Sequence, residues 1–80
     1  MNRLSIIVRA TWDDEAEVWV AQSADVQGLA TEAPTLEELR EKILAIIPEL
    51  IELNGVESNL PEIPVHIVAE RTARVVNPRY

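Results

Sequence analysis

Fourteen carboxylates and a single histidine, His66, are the side chains in this 80-residue chain that could move a proton or hold a metal ion, and there is no cysteine. Two-metal phosphodiester chemistry needs carboxylates that converge from core strands. The first strand-like segment, Leu4 to Trp12, contains no acid at all. Nine of the fourteen fall instead in the run Asp13-Asp14-Glu15-Ala16-Glu17 and along a helical segment as Glu37, Glu38, Glu41, Glu49 and Glu52, where solvent surrounds them. Asp25 stands just before Gly28 and reads as a turn former. His66 has no second histidine or cysteine to complete a ligand set, so it reads as a surface or interface residue. There is no phosphate-cradling glycine loop and no G-x-S-x-G nucleophile motif. The expectation is a protein that is not an enzyme, with no catalytic, cofactor-binding or metal-ligating residues.

The remaining candidates are large apolar side chains that could meet a partner. Trp12 falls in the apolar register of its strand and is expected under the helix. Trp19 has two readings. With Val18 and Val20 toward the helix it lies on the open sheet face near Ile7, as a contact candidate; with Trp19 toward the helix that reading fails.

Length and composition bound the class. Eighty residues make one domain, and a chain of this size buries only about 60% of its unfolded surface. Without cysteines, and with one histidine, neither disulfides nor a structural metal can reinforce so small a core, which leaves self-association. The net charge of −7 repels phosphate backbones, so direct nucleic-acid binding is not expected. The same field either keeps the protein soluble or favours a basic partner. The opening residues, Met1 to Arg9, alternate like a strand and are too short and too broken to be a signal segment; no run approaches a membrane span. No membrane contact is expected, and the compartment is expected to be cytoplasmic.

Five elements organise the chain. Leu4, Ile6, Val8, Ala10 and Trp12 alternate with Arg3, Ser5, Ile7, Arg9 and Thr11, the period of a half-buried strand. The acidic run is a hairpin loop, and Val18–Gln22 is a second strand, apolar on both faces. A turn closed by Gly28 leads to a short third strand, Leu29 to Ala33. After Pro34, Thr35-Leu36-Glu37-Glu38 forms a capping box, and a helix runs from about Leu36 to Asn54, ending at a left-handed Gly55. Its stripe Leu36, Leu39, Ile43, Ile46, Leu50 and Leu53 is expected to face the sheet. A second stripe, Leu44, Ile47 and Ile51, packs either on the 56–61 loop and sheet edge or on another subunit. Pro48 should bend this helix without dividing it. A last strand covers about Ile63 to Arg71 and can pair parallel to the first. The order β-β-β-α-β predicts an α+β two-layer domain over residues 1–72, with 73–80 a loose tail.

Trp19-Val20-Ala21, then Asp25-Val26-Gln27-Gly28, then Thr31, then Thr35-Leu36-Glu37-Glu38-Leu39 resemble the HicB antitoxin family in order and spacing. The match is closer still to a short HicB-like family of unknown function, whose ending resembles Pro64 to Thr72 here. The resemblance implies a degenerate RNase H-like fold with sheet order 3-2-1-4 and the helix on one face. It also implies a small basic mRNA-cleaving toxin as partner, as in toxin–antitoxin systems. HicB antitoxins commonly carry a C-terminal DNA-binding segment, whereas only residues 72–80 follow the last strand here, so operator binding is not implied. The expectation is a non-catalytic interaction module that forms a homo-oligomer and neutralises such a toxin, with Ile7, Trp19, Leu44, Ile47 and Ile51 as contact residues. The alternative is a structural homo-oligomer with no toxin partner.

Overall fold

The period-2 pattern of the first strand buries Ile6, Val8 and Ala10 completely while Ile7, Arg9 and Thr11 stay exposed. The structure, a computed structural model, describes residues 5–55 and 61–80. Four strands and one helix follow in the order β1 (Ile6–Asp13), β2 (Val18–Gln22), β3 (Ala30–Ala33), α1 (Leu36–Asn54) and β4 (Val65–Glu70). The sheet order is β3-β2-β1-β4, with β1–β2 and β2–β3 antiparallel and β1–β4 parallel. This is the α+β two-layer arrangement expected from the sequence. The expected placements of Leu4 and of loop residues 56–60 lie outside the described residues.

The helix packs where the sheet beneath it is smooth. Ala10 and Ala21 pair across β1 and β2, Ala33 lies opposite Trp19, and all three alanines are buried. Over them lies a single row, Leu39, Ile43 and Ile47, at successive steps of four. Ile46, Leu50 and Ile51 flank the row and are half-buried. This corrects the expected division into two stripes. Ile47 belongs to the core, whereas Leu36 and Leu53, assigned to the sheet-facing stripe, are exposed, Leu53 by 80%.

Both helix ends are capped at the expected residues, although of the reciprocal capping box only the Thr35 half forms and Glu38 does not reach back to the Thr35 N–H. Thr35 is extended, and its Oγ1 accepts from the Glu38 N–H at 3.1 Å. Gly55 closes the helix in the left-handed region at φ 65°, and its N–H donates to the Glu52 carbonyl at 3.3 Å. The helix is continuous through Pro48, whose ring is exposed. Asn54 ties this end to the turn region by donating from Nδ2 to the Gln27 carbonyl at 3.0 Å.

The turn after β2 replaces part of a strand. Backbone pairing of β1 with β2 reaches Arg9↔Gln22 and goes no further. Ile7, two residues back along β1, bonds to side chains instead. Its N–H donates to Asp25 Oδ2 at 2.8 Å, and its carbonyl accepts from Ser23 Oγ at 2.7 Å. Ser23 Oγ also accepts from the Asp25 N–H at 3.1 Å. Asp25 is therefore a clasp on β1 as well as a turn former. Beyond the clasp the chain dives inward and buries Val26 and Leu29. Gly28, at φ 91°, makes that reversal.

Two measurements check this packing. Ile47→Ala should cost about 2–4 kcal/mol in a urea melt because it opens a cavity in the core. Leu44→Ala, one helical step away on the exposed side, should cost less than about 1 kcal/mol. Asp25→Ala should cost roughly 1–2 kcal/mol by removing a charged acceptor from the Ile7 N–H, and Asp25→Asn, which keeps an acceptor oxygen, should recover more than half of that loss.

Candidate functional site

The register decides which side chains share a face. Directly opposed residues in an antiparallel pair point the same way. The pair Trp12↔Trp19 therefore sits on the helix side with Ala10↔Ala21. Of the two readings of Trp19, the one facing the helix holds: Trp19 packs against the core, Ile7 lies on the opposite face, and Trp19 is not an open-face contact beside it. The physical reason is that Ala21 and Ala33, the small residues that admit the helix, share the face of Trp19 and bring it along. The two indole rings meet edge to face, 5.4 Å apart and inclined by 63°. Trp12 is half-buried and ends this face; its Nε1 donates to Asp14 Oδ1 at 2.7 Å, and the Arg71 guanidinium lies 4.5 Å above its ring.

The open face carries Ile7, Arg9 and Thr11 of β1, beside His66, Val68 and Glu70 of β4 in parallel register. Ile7 and Val68 are exposed there by 44% and 41%. Arg9 Nη1 and Glu70 Oε1 form an ion pair at 3.2 Å, with both side chains largely in solvent, where such a pair contributes little. A shallow concavity of about 670 Å³ opens on this side, lined by Ile7, Arg9, Gln22, Ser23, Asp25 and Ala30 among others. The carboxylate and hydroxyl within it are already engaged on the Ile7 backbone.

The helix side holds a second, apolar groove of about 350 Å³. Leu44, Ile47, Pro48 and Ile51 line it from the helix, and Pro61, Ile63 and Val65 from the approach to β4. The structure thus brings Leu44, Ile47 and Ile51 together, with Ile47 forming the buried floor and Leu44 an exposed wall. It separates all three from Ile7, which lies across the sheet. Pro61 belongs to the 56–61 loop, and Val65 to the sheet edge, that one reading of this stripe named; Ile63 was not anticipated there. The pair of prolines, Pro61 and Pro64, holding Ile63 beside the helix was the available signal.

The acids do not gather. Among the described residues no group of three or more His, Asp or Glu side chains is placed to share a metal ion. Asp13 accepts from the Glu15 and Ala16 N–H groups at 3.0 and 3.2 Å and so shapes the hairpin. Glu37, Glu38, Glu41, Glu49 and Glu52 are all exposed along the helix. No helix among the described residues is long and apolar enough to cross a membrane.

A crystal structure of the hypothetical protein TTHA1013 from the extremely thermophilic bacterium Thermus thermophilus shares 52% sequence identity with this chain. The match covers 91% of this chain and 99% of that one, with a TM-score of 0.70. No curated protein matches the chain. Residues 5–77 match a family described as a domain of unknown function, DUF1902. That match spans both strands of the Ser23–Asp25 clasp, the helix and β4, and the chain belongs to the DUF1902 family.

Proposed function

We propose that this protein is a non-catalytic interaction module of the HicB-like antitoxin type. It self-associates in the cytoplasm and neutralises a small basic mRNA-cleaving toxin. The observation that carries this reading is the acidic outer surface of the helix. Five glutamates lie exposed along it, and among the described residues the ion pair formed is Arg9–Glu70, which uses none of the five. Unpaired carboxylates on a rigid helix make a surface that steers a basic partner toward it.

The fold agrees with this reading. Three antiparallel strands, a helix and a fourth strand returning parallel to the first give the sheet order that the HicB resemblance implies. β1 carries no acid before Asp13, so the layout serves as a scaffold for contacts. A purely structural homo-oligomer is the second reading, favoured by the exposed apolar residues Ile7 and Val68 on the sheet.

Co-expression with a small basic mRNA-cleaving protein from the same genome, followed by purification through a tag on this chain, tests the proposal. A stable complex that no longer cleaves RNA is expected. Reversing Glu41, Glu49 and Glu52 to lysine should weaken that complex at least tenfold, with the wild-type affinity falling as salt rises. If the basic protein flows through alone, or cleaves RNA equally well in the presence of this chain, the antitoxin reading is wrong and the structural oligomer remains.

A further inference from the structure

Residues 71–80 leave the domain. Beyond the contact of Arg71 with Trp12 every residue of this segment is exposed, including Val75 at 91% and Val76 at 92%. The segment has its own local order at its end, where the Arg79 N–H donates to Asn77 Oδ1 at 2.9 Å and the Tyr80 N–H to the Asn77 carbonyl at 3.3 Å. The molecule has a long axis of 54 Å against 27 and 18 Å, and a radius of gyration of 15.7 Å. A compact chain of this length has a radius of about 12 Å.

The charge is divided along the same line. Residues 71–80 carry three arginines and no acid, whereas residues 1–70 carry four basic and fourteen acidic side chains. A basic segment with two exposed valines is thus attached to an acidic body that presents an apolar groove. Glu41 and Glu52, both exposed, stand one helical turn from the groove residues Leu44 and Pro48, and exposed Glu62 precedes Ile63.

The position of the groove indicates how the two meet. β4 is an edge strand, six residues long and free of proline, with no other strand on its outer side among the described residues. Such an edge is a template for pairing with another chain. The opposite edge, β3, has four residues and runs into Pro34. Two β4 edges paired antiparallel about a two-fold axis set the end of one strand beside the beginning of the other. The beginning of β4 is where Ile63 and Val65 wall the groove, and the end of β4 is where residues 71–80 depart. The segment from 72 to 80 spans up to about 30 Å when extended, enough to cross that region.

We propose that residues 71–80 are an exchange arm: in a two-fold pair of chains joined along β4, each arm runs on past the beginning of the second copy's β4 and seats a valine in its Leu44–Ile63–Val65 groove. Arg74 and Arg79 then lie near the glutamates at the rim. The proposal rests on the self-association in the preceding section, and it names the segment and the surface that produce it.

The absence of cysteine makes a direct test available. Full-length Val76→Cys and full-length Leu44→Cys chains, mixed under mild oxidation, should form a covalent heterodimer between the two variants. The wild-type chain should sediment as a dimer at micromolar concentration. Val75→Asp combined with Val76→Asp should raise the dimer dissociation constant at least tenfold while the far-ultraviolet circular dichroism stays unchanged. A wild-type monomer at about 100 micromolar overturns the proposal, as does a dimer indifferent to both aspartates, or a Val76→Cys/Leu44→Cys double variant that closes only within one chain. Toxin binding is measured on the same proteins. A monomer that still binds toxin rejects the arm and keeps the antitoxin reading, and an arm-dependent dimer that binds none does the reverse.

Discussion

A helix can lie close to a sheet only where the sheet offers it a shallow surface, and here that surface is made of alanine. Ala10, Ala21 and Ala33 come from three different strands and are all buried beneath α1. Leu39, Ile43 and Ile47 fill the space above them. Interiors pack densely, so a large residue at any of the three alanines would lift the helix and open gaps around that row. The position of the helix in turn determines where the groove walls stand and which carboxylates face outward. With ten buried hydrophobic residues and no buried polar side chain among those described, this interlock is the core.

Most of the architecture was legible because each element carries its own local signal. The strand period, the Thr35 cap, Gly55 and the acidic hairpin each depend on residues near in sequence, and each appears where expected. The division of the helix into stripes was not legible. Leu36 and Leu53 continue the apolar pattern, but a periodicity does not reveal the width of the sheet beneath it. The facing of Trp19 was hidden for a related reason. Val18, Trp19 and Val20 are apolar in succession, so alternation gives no face, and only the pairing of Ala21 with Ala10 decides it.

The surfaces were legible in part. Leu44, Ile47 and Ile51 form one wall of a groove, as neighbours on one side of a helix must. Their counterparts, Pro61, Ile63 and Val65, lie at and before the start of β4, and beyond the two prolines around Ile63 no local pattern announces that meeting. The charge pattern was visible only as a sum. A net charge of −7 conceals an arginine-bearing end joined to a much more acidic domain, and the two parts respond in opposite ways to the same electrostatic field.

The clasp of Ser23 and Asp25 on Ile7 makes the length of the turn after β2 part of the fold. A hairpin tip such as Asp14–Glu17 can drift in length over evolutionary time, because its side-chain bonds reach only the adjoining Trp12 and Asp13 and its strands are paired without it. The turn after β2 has no such freedom. One residue inserted between Gln22 and Asp25 would move both side chains out of reach of the Ile7 backbone and shift Val26 and Leu29 out of the core. What resembles a connecting loop therefore tolerates exchange of residues at its exposed positions but not a change in their number.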